Sequence, residues 1–211
     1  MLALFIDIGS TTTDVVPVAG GRILAEGRSD SERLARDELV YTGIVRTPVM
    51  ALASEIAFEG ETQGLMAEMF ATMADAYRVA RLLPEDADDF PAADAGEKTV
   101  RESARRLARM LGRDVDSAPI AAWRRFADAL IEIQTGRIEA ACKRVMKRAR
   151  LTAEAPLAAA GCGRFLVNTL ARRLNRPCFD FADLVPAGRG ARHSAGVCAP
   201  AVAVALLAFG N

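Results

Sequence analysis

Leu2-Ala3-Leu4-Phe5-Ile6-Asp7-Ile8-Gly9-Ser10-Thr11-Thr12-Thr13-Asp14-Val15-Val16-Pro17-Val18 is the stretch that decides the fold. An apolar run ends in an aspartate, small residues follow, and a second apolar run carries another aspartate. Phe5, Ile6 and Ile8 are aromatic or β-branched, the composition of a buried strand. Gly9 permits a tight turn and close backbone approach. Ser10, Thr11, Thr12 and Thr13 supply hydroxyls and successive backbone N–H groups, which together can cradle a phosphate. Asp7 and Asp14 are placed to hold Mg2+, directly or through water. A plain hairpin with a Gly-Ser turn is the alternative. Acid, glycine and hydroxyls recurring together at a strand end favour the phosphate site.

The chain has 211 residues, 51% of them hydrophobic, enough for one large domain or two small ones with a real core. Its 27 basic and 27 acidic residues balance, which argues against a general nucleic-acid coat. Cys142, Cys162, Cys178 and Cys198 stand far apart, and His193 is the lone histidine. No pair has zinc-ligand spacing, so reduced thiols in a cytoplasm are expected. The opening residues lack the basic flank and cleavage site of a signal peptide. The apolar run from Ala195 to Gly210 is too short and Ala-rich for a membrane span and reads as a buried helix.

Outward from the opening hairpin, Gly20-Gly21 is a turn and residues 22–28 read as a third strand. Ser29-Asp30-Ser31-Glu32 fits a capping box and starts a helix running through Leu39. In the segment Val40 to Pro48, Arg46 offers a rigid fork for phosphate or carboxylate, with Tyr41, Thr42 and Thr47 as orienting hydroxyls; a surface loop is the equal alternative. Residues 49–58 read as a strand. Residues 65–83 have helical spacing, which places Glu68 and Asp75 on one face. Paired carboxylates can bind a metal or share a proton, although solvation is the commoner state. Residues 84–97 are an acidic loop in which Asp94, beside Gly96, is the candidate site residue.

Thr99 to Leu111 is an amphipathic helix stopped by Gly112. Ser117 then caps a long helix whose basic end, from Arg137 to Arg150, reads as a solvated terminus. Gly136 is a candidate kink. Leu157 to Ala160 is a short strand leading into Gly161-Cys162-Gly163 and a helix to Leu174. Strand, glycine turn and helix form a nucleotide-contact geometry, with Gly161 and Gly163 against the ligand. The two glycine turns are expected to face one cleft.

The opening hairpin resembles the second phosphate loop of the actin/sugar-kinase/Hsp70 superfamily, and the Gly161 turn its adenosine motif. Within that superfamily, Asp7 to Asp14 is similar to the hydantoinase A/oxoprolinase branch. Narrower still, Asp30-Ser31-Glu32-Arg33-Leu34, Glu38 to Gly43, Arg46-Thr47-Pro48 and Glu68 to Asp75 resemble the tetrahydromethanopterin-linked one-carbon pathway protein family, as do Arg106 to Met110. The implied fold is α/β, a ribonuclease H-like (actin/sugar-kinase/Hsp70) fold, N-terminally truncated, with an added helical region. One partial domain is expected, β-rich over 1–60, mainly helical over 65–150, and closing with the nucleotide turn and helices over 155–211.

The resemblance implies methanofuran-type cofactor biosynthesis: coupling of a furan-methyl diphosphate to a tyramine-type phenol, with diphosphate released. Gly9, Ser10, Thr11, Thr12 and Arg46 would bind phosphate, Asp7 and Asp14 would hold Mg2+, and Glu68, Asp75 or Asp94 would take the phenol proton, with Asp14 also counted catalytic. The implied ligands are Mg2+, a phosphorylated small molecule and optionally ATP, with neither nucleic acid nor membrane as partner. A homodimer would cover the surface an upstream lobe otherwise buries. Two other activities fit the same scaffold: an ATP-dependent kinase or hydantoinase-like hydrolase, and a non-catalytic nucleotide-binding protein.

Overall fold

The computed structural model describes residues 2–209. In chain order the elements are β1 (Leu2–Ile8), β2 (Thr13–Ala19), β3 (Arg22–Ile23), α1 (Asp30–Ala35), β4 (Leu39–Val40), β5 (Glu55–Phe58), β6 (Glu61–Gly64), α2 (Met73–Val79), α3 (Val100–Met110), α4 (Ile120–Arg148), β7 (Leu157–Ala160), α5 (Phe165–Leu174), β8 (Cys178–Asp180), α6 (Arg192–Val197) and α7 (Ala199–Phe209). The chain is mixed α/β and divides into two compact units, Met1–Tyr41 with Arg137–Asn211, and Thr42–Gly136. The sheet-forming unit is therefore discontinuous, because the chain leaves the sheet after β4 and rejoins it with β7.

The first unit is built on one sheet, ordered β3-β2-β1-β7-β8, with β4 also paired to β2. β1 and β2 are antiparallel, whereas β7 runs parallel to β1 and to β8. Alternation along β1 sends Leu4, Ile6 and Ile8 to full burial on one face. Asp7 belongs to the opposite face with Phe5, whose ring meets Phe181 edge-on at 5.8 Å. The register sets Asp7 directly across from Asp14, so the two carboxylates are cross-strand neighbours.

Ser29 caps α1 by accepting from the Glu32 N–H at 3.3 Å, as its capping-box sequence predicts. The helix ends at Ala35, shorter than expected. Glu38 lies outside it and is buried, its carboxylate accepting from the Glu26 and Gly27 N–H groups at 2.9 and 2.8 Å. The basic end of α4 is not simply solvated: Arg144 grips Asp37 with two hydrogen bonds of 2.6 Å, and Arg148 donates to the Arg36 carbonyl at 2.5 Å.

The second unit has an aromatic centre. Trp123 stacks on Phe58 at 4.8 Å and meets Phe126 edge-on. Its indole N–H donates to the Val115 carbonyl at 2.9 Å, which satisfies the one polar atom buried with it. The segment 42–47 is fixed from within. Gln134 donates to Thr42 Oγ1 at 2.6 Å and to the Gly43 carbonyl at 2.9 Å, and it accepts from Tyr77 at 2.6 Å. The Thr42 and Thr47 hydroxyls are consequently buried in the framework rather than offered to a ligand, a correction to the sequence reading.

Three expected helices are revised. Residues 65–83 contain a helix only at α2, because Thr72 and Asp75 form a capping box that starts it at Met73. Glu68 precedes the helix, so Glu68 and Asp75 do not share a helix face. Gly136 neither kinks nor breaks α4, which is continuous over Ile120–Arg148. A Cβ there would meet nothing within 4 Å, and Gly136→Ala is expected to raise stability by about 0.5–1 kcal/mol in chemical denaturation. The closing apolar run forms two helices, and α7 is largely exposed instead of buried, with Leu207 79% and Phe209 88% accessible. No helix among the described residues is long and apolar enough to cross a membrane. The expected strands over 22–28 and 49–58 shrink to β3 and β5.

Candidate functional site

β1 and β2 deliver Asp7 and Asp14 to one face of the sheet, and the turn between them carries the hydroxyls. Gly9 N–H closes the turn on the Thr12 carbonyl at 2.9 Å. The N–H groups of Ser10, Thr11 and Thr12 take no partner among the described residues. The Ser10 and Thr11 hydroxyls lie 3.4 Å apart. Three half-buried residues, Ser10, Thr11 and Thr12, thus present unspent donors at the end of a buried strand, the requirement for holding an anion.

Asp7 is 7% exposed, yet among the described residues its carboxylate makes no side-chain hydrogen bond or ion pair. Burial, reinforced by the negative charge of Asp14, pushes its carboxyl up to about 6. Asp14 is partnered differently, since its Oδ1 is held by the Arg33 guanidinium. Arg33 can reach it because Gly27 packs on its stem; a Cβ at Gly27 would stand 2.7 Å from Arg33 Cγ.

The second glycine turn folds onto the first. The Gly163 N–H donates to the Ile8 carbonyl at 2.8 Å, and the Gly161 N–H to the Gly196 carbonyl at 2.8 Å. Gly161 has φ +83°, and a Cβ on it would overlap Asp7 Oδ1 and the Ile8 carbonyl. The parallel pairing of β1 with β7, which sets Asp7 beside Ala160, brings the turns together. Arg164 braces this turn, donating to the Gly161 carbonyl at 3.2 Å and to Asp180 at 3.0 Å. Cys162 is half-buried, and its Sγ lies 3.8 Å from the Ile8 carbonyl.

The remaining candidates lie in the second unit. Asp75 caps α2 through the Thr72 N–H at 3.1 Å and accepts from Arg106 Nε at 2.8 Å. Arg106, 2% exposed, also donates to Asp94 at 3.0 Å, to the Glu97 carbonyl at 3.1 Å and to Ser103 at 3.2 Å. Burial alone would raise the Asp94 carboxyl, but the Gly96 N–H and Arg106 outweigh it and hold the group below the usual range. Asp75 and Asp94 are thus tied into a framework centred on Arg106. Removing Arg106 leaves the buried Asp75 with the Thr72 N–H and, 3.7 Å away, the Arg78 guanidinium. Arg106→Met is expected to lower unfolding free energy by about 3 kcal/mol, read from Trp123 fluorescence in the same unit.

Glu68 is exposed and accepts from the Met69 N–H at 3.0 Å. Arg46 is exposed, with its guanidinium 4.8 Å from the centre of the Phe90 ring. It lines a pocket of about 300 Å³ with Val45, Met69 and Phe90.

Sequence reasoning missed Arg33, Glu38 and Arg106. Their only signal was position inside segments quoted for a family resemblance, since an arginine gives no sign of which distant carboxylate it meets. Among the described residues there is no group of three or more histidine, cysteine or acidic side chains able to hold a metal. The donor set near the hairpin is smaller. Asp7 is a buried carboxylate without a partner among the described residues, and Asp14 is paired with Arg33. That set suits Mg2+, which is commonly held by one or two protein carboxylates and completed by substrate phosphate and water.

Comparison with known proteins returns one family and two relatives. The hydantoinase/oxoprolinase family matches residues 2–208. A (4-{4-[2-(gamma-L-glutamylamino)ethyl]phenoxymethyl}furan-2-yl)methanamine synthase of Methanocaldococcus jannaschii is 37% identical over 111 residues, 53% of this chain and 33% of the relative. A synthase of the same name from Methanococcus vannielii is 32% identical over 113 residues, 54% of this chain and 50% of the relative. The matched segment therefore spans a third of one relative's length and half of the other's.

Proposed function

The chain belongs to the hydantoinase/oxoprolinase family, and from that premise we propose that it acts in the biosynthesis of a methanofuran-type cofactor, as a transferase joining a furan-methyl diphosphate to a tyramine-type phenol. The names of the two relatives support this reading, because both specify a product with a phenoxymethyl-furan ether. The observation that carries it is the buried Asp7 carboxylate, unpartnered among the described residues, beside a turn whose Ser10, Thr11 and Thr12 N–H groups are unspent. The sheet order, an antiparallel trio followed by two parallel strands, supports a ribonuclease H-like core of the actin/sugar-kinase/Hsp70 type.

In this reaction the bond between the furan methylene carbon and the diphosphate oxygen breaks, and its electron pair leaves with diphosphate. The phenol oxygen bonds to the same carbon and gives up its proton. The N–H groups and hydroxyls of Ser10, Thr11 and Thr12 receive the diphosphate oxygens as their charge grows. Asp7 would hold Mg2+, which when bound neutralises the leaving diphosphate. Arg33 keeps Asp14 oriented and its charge compensated, so that Asp7 is the carboxylate left to face a cation. Of the three expected proton acceptors, Asp75 and Asp94 are held by Arg106, and Glu68, for which no arginine partner is found among the described residues, is the one left for the phenol proton.

A second reading is ATP-dependent phosphoryl transfer or hydantoinase-like hydrolysis, favoured by the Gly161-Cys162-Gly163 turn. It would place Gly161 and Gly163 against a nucleotide. The φ of Gly161 and its contact with Asp7 already account for that glycine without one. Incubation with furan-methyl diphosphate, a glutamyl-tyramine phenol, Mg2+ and ATP separates the readings. Ether formation with diphosphate released, unaffected by omitting ATP, is the expected result; ADP formation without ether would overturn it in favour of the second.

A further inference from the structure

We infer that the second unit carries a binding site for a small aromatic dicarboxylate, anchored by Arg46 at one end and Arg109 at the other. The inference is independent of the diphosphate chemistry proposed for the first unit. Two pockets carry it. The first, about 300 Å³, is lined by Arg46 and Phe90; the second, about 290 Å³, by Phe70 and Arg109. Met69 and Ala93 line both, so the two share a wall. Each pocket holds one guanidinium over one ring: Arg46 over Phe90 at 4.8 Å, and Arg109 over Phe70 at 5.3 Å.

These two arginines differ from their neighbours. Arg78, Arg105 and Arg106 are all paired, with Asp88, Glu102 and Asp75 among their partners. Arg46 and Arg109 make no ion pair and no side-chain hydrogen bond among the described residues. A guanidinium over a ring is attracted to the π-face and, without a hydrogen-bond partner, keeps its N–H edge available. That edge is the fork that receives a carboxylate through two parallel hydrogen bonds. Stacking also restricts the side chain beforehand, so less rotamer freedom is lost on binding. Four aspartates line the pockets, and Asp75, Asp88 and Asp94 are each held by an arginine, leaving Asp114 outside that network. The thioether of Met69 between the anchors, with the Phe70 and Phe90 rings, offers an apolar bed for an aromatic body.

Two unspent forks on either side of an apolar wall favour a ligand with an acid at each end. The probe is 4-carboxyphenylacetate, with phenylacetate as its single-acid counterpart, titrated into the full chain by calorimetry. Arg113 supplies the control, since it stacks on Phe58 at 5.2 Å but lines neither pocket. The dicarboxylate is expected to bind more tightly than phenylacetate. Arg46→Gln and Arg109→Gln should each weaken it by about tenfold, as for loss of one charge-assisted pair at an exposed site. Arg113→Gln should leave it unchanged. Thermal unfolding of each variant at the wild-type temperature confirms that the fold is retained, as expected for the exposed Arg46 and Arg109 and the half-buried Arg113. No binding by the wild-type chain, equal binding by all variants, or equal weakening by all three would overturn the inference.

Discussion

Asp7→Asn is expected to make the protein more stable and less active at once. The Asp7 carboxyl titrates at about 6 in the folded chain against an ordinary 3.8. Its native state therefore binds the proton more tightly than the unfolded state does. Below about pH 4 both states are protonated and no penalty exists; from there to about pH 6 the penalty grows, and above that it is present in full. A shift of this size corresponds to roughly 3 kcal/mol of destabilisation at neutral pH. Asparagine keeps the shape and removes the charge. Hydrogen exchange of the β1 amides should show Asp7→Asn more protected than wild type at pH 8, with the gap closing by pH 4. Trp123 fluorescence would be the wrong probe, because that residue lies in the other unit. Saturating Mg2+ should narrow the gap at pH 8 by stabilising the wild type alone. The proposed coupling activity should fall by about a hundredfold or more, the scale seen when a principal charge-stabilising group is lost. A gap independent of pH would refute the assignment of Asp7 as an uncompensated buried acid.

Gly161→Ala should be the most damaging single-methyl change in the first unit. At φ +83° an L side chain is strained by about 1–2 kcal/mol before any contact is considered. The added methyl also overlaps the Asp7 carboxylate and the Ile8 carbonyl. β1 cannot retreat, because Leu4, Ile6 and Ile8 are fully buried on its other face. A loss of about 4 kcal/mol or more is expected, within the range of overpacked cores with special backbone geometry. Gly188→Ala is the matched control, since a Cβ there meets nothing within 4 Å. The measurement is soluble yield together with β1 amide protection. Normal values for Gly161→Ala would show that the two turns do not lean on each other as described.

The hairpin was legible in the sequence because its information is local. Alternation marks the strands, and Gly9 with the hydroxyls marks the turn. The meeting of the two glycine turns was also within reach, since a strand followed by a glycine turn and a helix suggests a parallel neighbour. What escaped depends on residues far apart in the chain. Asp75 reads as a free carboxylate until Arg106, 31 positions later, is seen against it. The helix over 65–83 was overextended because apolar spacing outweighed the Thr72-Asp75 capping box, a stop-and-start signal present in the sequence all along. The exposure of α7 could not be read from its composition, because apolar residues state a preference for burial without naming a partner.

Asp7 and the hydroxyl turn are proposed to form a Mg2+-dependent diphosphate site. Calorimetric titration of diphosphate into the full chain, with and without Mg2+, for wild type and Asp7→Asn, tests it most directly. Binding by the wild type that requires Mg2+ and is lost, or weakened by about a hundredfold, in Asp7→Asn is expected. Diphosphate binding that is indifferent to Mg2+ and equal in the two proteins would contradict it.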